Sequence, residues 1–355
     1  MARLLVALLF VGGSALVAAN PQERPTGQGF SFRTGVELVN VTATVTDQSG
    51  RFVPGLTAQD FVLYEDGKPQ EITLFESERV PVSLGIALDT SGSMLGEKIV
   101  AAQAALNRFL IDLLGAQDEV FLYRFDSRPM LVQGWTEDRR SLSRVLGAVK
   151  PNGGTAMYDT VAEAIPLAQS GSRRKKALVV ISDGNDTSSR TAVTELQQAI
   201  RETEVLVYAI GIDASGGTSY PASQGGSSSS PSPPPTTPRT LPQPSPFPGK
   251  APPPVRPAPP RQPPPPPSRS TRSSVDRVNP DALRAITDDS GGRTEIIVSP
   301  RDLDPATAGI ADELSRQYFL GYTSTVPKDG RWHSIELRLK RGNYVVRARK
   351  GFVAS

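Results

Sequence analysis

The pattern of hydrophobic and polar positions divides the chain into three kinds of segment. Residues 37–80 alternate with the period of a β-strand. Within them, VELVNVTATVTDQSGRFVPGL predicts two strands around a turn at 47–50, and Asp66-Gly67 predicts the tight turn of a hairpin. From Pro81 onward, apolar runs such as VSLGIALD and KKALVVISDG alternate with helical patterns such as EKIVAAQAALNRFLIDLL. After residue 317, short strands return in YFLGYTST, HSIELRLKR and YVVRARKGF.

These segments predict an α/β fold with a flanking β domain. Buried strands that alternate with helices are typical of a doubly wound, mostly parallel, Rossmann-like sheet with helices on both faces. We assign this α/β domain to residues 81–317. The N-terminal β unit at 30–80 and the strands at 318–355 are each too small to bury a face alone. We therefore expect the two chain ends to pack together as one β-sandwich-like domain.

A proline-rich segment at residues 215–275 interrupts the α/β pattern, which resumes after it. The segment holds 21 of the 33 prolines, with runs such as SSSS and PPPPP, and six basic residues without an acid. This composition predicts a disordered or polyproline insertion within the α/β domain. A solvated loop is the simpler expectation, and weak contact of this basic arm with anionic polymers is the alternative. The rest of the chain has 36 acidic residues against 33 basic ones, which argues against nucleic-acid binding.

The first nineteen residues, MARLLVALLFVGGSALVAA, have the pattern of a secretory signal peptide. An early charge at Arg3 precedes an apolar run that ends in small residues, and Val17 and Ala19 predict cleavage after Ala19. An uncleaved anchor is the alternative, but the run is short of the roughly 20 residues of a membrane span. We expect no stable transmembrane segment after cleavage. An exported chain without cysteine is expected to be a secreted or periplasmic protein.

Oxygen-bearing side chains follow the predicted buried strands at three places. In GIALDTSGSM, Asp89 ends a strand, and Ser91 and Ser93 come next at alternate positions. Thr155 follows a glycine pair in PNGGTAMYD, and Asp183 ends another strand in VVISDGND. Ligands of open α/β sheets bind at the carboxyl ends of strands, so we expect these residues to meet at one edge. Their hard oxygens favour Mg²⁺, Mn²⁺ or Ca²⁺ over zinc.

These residues resemble the metal-ion-dependent adhesion site of von Willebrand factor type A domains. The resemblance covers residues 81–317 apart from the proline-rich insertion. The flanking VTDQSGRFVPGLTAQDFVLYEDGKPQEITLF and QYFLGYTS…VRARKGF resemble a bacterial exported subfamily with strands on both sides of the domain. The resemblance implies that Ser91, Ser93 and Thr155 are direct metal ligands, and that Asp89 and Asp183 bind directly or through water. It also implies that a partner protein supplies a carboxylate as the last ligand.

Other chemistries fit the sequence less well. The single Asp-Thr at residue 89 lacks the glycine and the second copy of an aspartic protease. A Ser-His-Asp hydrolase needs a histidine, and the only one, His333, is expected on the solvent face of a tail strand. No GxxxxGK[ST] phosphate loop is present. We therefore expect a non-enzymatic adhesion or interaction module without catalytic residues. The alternative is a structural or accessory subunit of an envelope assembly, in which the domain is a scaffold and the metal is dispensable.

Overall fold

A computed structural model describes residues 37–213 and 278–354. The predicted signal peptide and the proline-rich segment at 215–275 lie outside these ranges. The strands are β1 (Glu37–Thr46), β2 (Phe61–Glu65), β3 (Lys68–Gln70), β4 (Ile72–Glu76), β5 (Val82–Asp89), β6 (Glu119–Phe125), β7 (Pro129–Thr136), β8 (Lys175–Ser182), β9 (Leu206–Ile212), β10 (Thr294–Ile297), β11 (Tyr318–Ser324), β12 (Trp332–Leu339), β13 (Val345–Ala348) and β14 (Gly351–Val353). The helices are α1 (Glu97–Arg108), α2 (Arg139–Gly147), α3 (Met157–Gln169), α4 (Val193–Arg201), α5 (Pro280–Thr287) and α6 (Leu303–Arg316).

The central sheet has six strands in the order β10-β9-β8-β5-β6-β7. Five of them run parallel, and β7 is an antiparallel edge strand beside β6. Every residue of β5 and β9 is buried, which agrees with strands covered on both faces. Among the helices in the described ranges, none combines the length and apolar character required to cross a bilayer.

Helices cover the two faces of this sheet in groups of three. Buried side chains of α1, α2 and α6 share one core with the sheet, and those of α3, α4 and α5 share the other. The apolar spacing of α1 places Ile99, Ala102 and Leu106 on its buried face. The predicted α/β sheet with helices on both faces is confirmed.

Two antiparallel sheets form the flanking β domain, in the orders β13-β1-β11-β4 and β14-β12-β2-β3. Each sheet combines strands from both ends of the described chain: β1 pairs with β11 over seven residue pairs, and β2 pairs with β12. Their facing side chains, including Val41, Leu63 and Tyr322, form one core. The prediction of a sandwich-like domain built from both ends is therefore confirmed.

The two predicted turns near the N-terminus have different outcomes. Asp66 and Gly67 adopt φ angles of 47° and 74° and join β2 to β3, as the hairpin pattern predicts. The turn at 47–50 forms, but the prediction of a second strand after it is wrong. In the described residues the turn is followed only by an isolated β-bridge between Thr46 and Phe52. Pro54 lacks an N–H donor and Gly55 has a φ of 79°, so the backbone does not continue the ladder.

The expectation that His333 faces solvent is also wrong. The residue is 9% exposed and lies on the buried face of β12 with Ile335 and Leu337. Its ring packs on Phe352 with centroids 5.7 Å apart, and its Nδ1 lies 2.7 Å from Oδ2 of Asp66. The alternation of β12 places His333 in phase with the apolar positions, because side chains two residues apart share a face of a strand.

Candidate metal site

The candidate site lies at the carboxyl edge of the central sheet, between β5 and β8. The chain passes from β5 through α1 to β6, which lies on one side of β5 in the sheet, whereas β8 and β9 lie on the other side of β5. The strand order therefore reverses between β5 and β8, where open α/β sheets form a crevice for ligands. Asp89 is the last residue of β5, and Asp183 directly follows the last residue of β8.

Asp89 is fully buried and held by two hydrogen bonds. Its Oδ1 accepts the Ser91 N–H at 2.8 Å, and its Oδ2 accepts the Ser182 hydroxyl at 2.5 Å. Burial raises the pKa of Asp89 to about 6, and the charge of nearby Asp183 adds to this, against the lowering effect of the two hydrogen bonds. Without a counter-ion, the charge of Asp183 therefore opposes the ionisation of Asp89.

Asp183 is also fully buried, and one of its two carboxylate oxygens has no hydrogen-bond partner among the described residues. Its Oδ1 accepts the Asn185 N–H at 3.1 Å, whereas Oδ2 is buried without a hydrogen bond from the described residues. No lysine or arginine of residues 37–213 and 278–354 forms an ion pair with Asp89 or Asp183. Buried charges in proteins are normally paired or bind metal ions, so this pair of carboxylates suits a bound cation.

Ser91 and Ser93 present their hydroxyls to the same point. Their Oγ atoms are 2.9 Å apart, across a single 3-10 turn at Gly92–Met94. Ser91 is buried and Ser93 is half-buried. Gly92 donates its N–H to the Gly153 carbonyl at 3.0 Å, which ties this turn to the loop that carries Thr155.

The Thr155 loop is hydrogen-bonded to the loops that follow β5 and β8. Asn152 donates its N–H to the Thr90 carbonyl at 2.7 Å. Thr155 is 4% exposed; its N–H donates to the Thr187 hydroxyl at 3.0 Å, and its carbonyl accepts the N–H groups of Thr187 and Ser188. The structure thus brings Thr155 to the same edge as the two aspartates and the two serines.

The sequence pattern did not identify two residues that hold this arrangement. Ser182 bridges β8 to Asp89, and Thr187 fixes the backbone of Thr155. Ser182 is the first residue of the Ser-Asp-Gly sequence at 182–184, but its place in the apolar pattern of β8 is that of an ordinary buried strand residue. Its partner on β5 is visible only once the two strands are paired.

The donor chemistry of the site fits a hard divalent cation. It offers two carboxylates and three hydroxyls, all oxygen ligands of the type that Mg²⁺, Mn²⁺ and Ca²⁺ accept. Within the described ranges, no group of three histidine or acidic side chains has the spacing of a metal site. A cation here would therefore depend on the hydroxyls of Ser91, Ser93 and Thr155 as well as on the carboxylates of Asp89 and Asp183.

The sequence matches a family that agrees with this fold and site. Residues 84–185 match the von Willebrand factor type A domain family. The chain is 26% identical over 135 residues to inter-alpha-trypsin inhibitor heavy chain H4 from Bos taurus, and 27% identical over 135 residues to the Homo sapiens protein. The match spans 35% of this chain but only about 15% of the length of these relatives. Residues 84–185 are thus similar to von Willebrand factor type A domains.

Two solved structures are similar to parts of this chain at low sequence identity. BatB from Bacteroides thetaiotaomicron is 20% identical, with a TM-score of 0.44, over 66% of this chain and 97% of that one. A von Willebrand factor type A protein from Catenulispora acidiphila is 15% identical, with a TM-score of 0.44, over 83% of this chain and 72% of that one.

Proposed function

We propose that the protein is an exported, non-enzymatic interaction module that captures an acidic group of a partner protein through a divalent cation. Asp89, Ser91, Ser93, Thr155 and Asp183 would hold the cation, with Mg²⁺ as the first candidate and Mn²⁺ or Ca²⁺ as alternatives. The proposed export rests on residues 1–19, whose pattern is that of a signal peptide.

The buried, unpartnered Oδ2 of Asp183 is the observation that carries this proposal. It belongs to one of two buried carboxylates that repel each other and have no cationic side chain from the described residues. A protein normally avoids such an arrangement, because an unpaired buried charge costs several kcal/mol. A bound divalent cation would pair with both carboxylates and remove the repulsion.

The neutral hydroxyl donors support capture of an acidic group rather than catalysis. Ser91, Ser93 and Thr155 add no negative charge, so a cation held here keeps part of its positive charge. That charge favours a further carboxylate from outside the chain. The protein's own contribution is to fix the five oxygen donors at one edge of a rigid sheet.

Metal titration of two matched variants tests the cation site. MgCl₂, MnCl₂ and CaCl₂ are titrated by calorimetry into the wild type, Asp183→Asn and Asp112→Asn, which changes an exposed acid on the segment after α1. We expect binding to one site in the wild type and in Asp112→Asn, and its loss in Asp183→Asn. Equal binding by all three proteins would contradict the site.

Capture of a partner tests the interaction function separately. Envelope proteins of the source organism are passed over the immobilised protein in Mg²⁺ and in EDTA. We expect a partner that is retained in Mg²⁺ by the wild type and released by EDTA. Retention that is unchanged in EDTA would instead support a scaffold in which the metal is dispensable.

A further inference from the structure

A surface groove of about 600 Å³ starts beside the candidate metal site, and we call it the α3 groove. Its floor is the side of α3 that carries Asp159 and Glu163, and its walls are the β6–β7 turn at 127–129 and the loop at 188–191. A volume of this size is typical of ligand sites in proteins.

Both walls of the α3 groove are hydrogen-bonded to the loop that carries Thr155. The Ser127 hydroxyl accepts the Gly154 N–H at 2.8 Å, and the Ser188 N–H donates to the Thr155 carbonyl at 3.0 Å. The groove therefore begins at the loop of a proposed metal ligand and continues along α3. A peptide whose acidic side chain reaches the metal would have this groove as its path across the surface.

Each wall of the groove carries an exposed arginine. Arg128 lies in the β6–β7 turn and Arg190 in the opposite loop, and both line the groove. Neither forms an ion pair in the part of the chain that the structure describes, although the charge of Arg190 acts on the nearby Asp159. Guanidinium groups bind carboxylates with two parallel hydrogen bonds, so two exposed arginines that line one groove suit an acidic ligand.

The two acids of the floor are placed differently with respect to these arginines. Asp159 accepts N–H groups from Arg190 and Thr191 at 2.8–3.1 Å. Partial burial opposes its ionisation, but these donors and the charge of Arg190 outweigh it and lower its pKa. Its negative charge is thus already engaged by the loop. Glu163 is exposed one helical turn further along α3, so an acidic ligand fits best at the end near Thr155.

We infer that the α3 groove receives a second acidic side chain of the same partner, between Arg128 and Arg190. The partner segment is then extended and carries two acidic residues a few positions apart, one for the metal and one for the arginines. This inference rests on the proposed function, because the first acidic residue is the one that reaches the cation. An extended chain advances about 3.3 Å per residue, so peptides that differ in the spacing of two acids differ in the distance that they span.

Synthetic peptides test the inference without knowledge of the natural partner. The probes are capped glycine-serine octapeptides with one Asp, or with two Asp separated by one, two, three or four residues. Their binding in Mg²⁺ is measured by chemical-shift titration, which reaches millimolar dissociation constants. The variant is Arg128→Gln/Arg190→Gln. The matched control is Arg140→Gln/Arg144→Gln, which removes the same charge from exposed positions of α2 on the other face of the sheet.

We expect one spacing of two Asp to bind the wild type and the control at least tenfold more tightly than the one-Asp peptide. In Arg128→Gln/Arg190→Gln this preference should fall below twofold, with the one-Asp peptide still bound. If the one-Asp peptide binds in Mg²⁺ but no preference exists, or if the preference survives in the variant, the α3 groove inference is wrong and the metal site stands. If neither Mg²⁺ nor any peptide binds the wild type, the proposed function itself is wrong.

Discussion

The Ser182 hydroxyl donates a 2.5 Å hydrogen bond to Oδ2 of Asp89 and thereby joins the ends of strands β8 and β5. The same hydroxyl oxygen accepts the Gly184 N–H at 3.0 Å. Because the other carboxylate oxygen of Asp89 accepts the Ser91 N–H, the orientation of the whole carboxylate is fixed from both strands. Ser182 is therefore a positioning residue for the candidate metal site.

We predict that Ser182→Ala weakens Mg²⁺ binding about tenfold or more, since the loss of an outer hydrogen bond to a metal ligand typically costs 10–100-fold in affinity. Calorimetric titration measures the change. Ser170→Ala, which removes an exposed hydroxyl at the end of α3, is the control and should bind as the wild type does. An unchanged affinity in Ser182→Ala would show that Asp89 is positioned without this bond.

We predict opposite effects of Asp183→Asn in the absence and presence of metal. Without metal, the substitution removes one of two repelling buried carboxylates, so the free energy of unfolding should rise by about 1 kcal/mol. With saturating Mg²⁺, the wild type gains stability by mass action and the variant does not. Urea unfolding in EDTA and in Mg²⁺ measures both effects. A variant that is destabilised in EDTA and still stabilised by Mg²⁺ would contradict the assignment.

His333 provides a pH-dependent contact within the β-sandwich. The hydrogen bond and charge of Asp66 raise its pKa, against a smaller effect of burial, and the same hydrogen bond lowers the pKa of Asp66. Because the pKa of His333 is higher in the folded protein, its protonation stabilises the fold at pH values below the unfolded pKa near 6.5. This stabilisation is lost as the pH rises through the folded pKa. Because the pKa of Asp66 is lower in the folded protein, its ionised form stabilises the fold at pH values above the unfolded pKa of about 3.8. This stabilisation is lost as the pH falls through the folded pKa.

We therefore predict that the stability difference between the wild type and His333→Gln is larger at pH 5.5 than at pH 9. Urea unfolding across this range measures it, and Asp66→Asn should show the same reduced pH dependence as His333→Gln. The lost packing on Phe352 lowers stability at every pH and so does not affect this comparison. A difference that is constant between pH 5.5 and 9 would mean that His333 stays neutral.

Glu313 of α6 joins the α/β domain to the β-sandwich. Its carboxylate pairs with Arg347 of β13 and accepts the Arg293 Nε–H at 2.9 Å. It also accepts hydroxyl hydrogen bonds from Tyr208 of β9 at 2.8 Å and from Thr44 of β1 at 3.0 Å. Partial neutralisation by two arginines lowers its pKa, although burial alone would raise it.

We predict that Glu313→Gln lowers the free energy of unfolding by about 3 kcal/mol, because it removes the counter-charge of the partly buried Arg347 and leaves Arg293 with Glu295 alone. Glu202→Gln, at an exposed position after α4, should change it by less than about 0.5 kcal/mol. Urea unfolding at neutral pH compares the two. Equal stability of both variants would show that the cluster contributes no net stability.

The hydrophobic pattern determined most of the element types. Continuous apolar runs such as β5 and β8 are typical of strands buried on both faces, and Asp66-Gly67 can adopt the left-handed turn that joins β2 to β3. The same local reasoning failed for the segment after residue 50 and for His333. There a proline and a glycine ended the ladder, and the burial of a polar ring depended on Asp66, which lies in the turn between β2 and β3.

The sequence by itself determined the α/β class, the pairing of its two ends into a sandwich, and the five oxygen-bearing residues proposed to hold a metal. Only the tertiary structure decided that Ser182 supports Asp89, that one oxygen of Asp183 has no partner among the described residues, and that Arg128 and Arg190 line one groove. The physical reason is the separation along the chain over which each effect acts. Periodicity and turn chemistry act over a few residues, whereas a hydrogen bond such as that between Ser182 and Asp89 joins positions 93 residues apart.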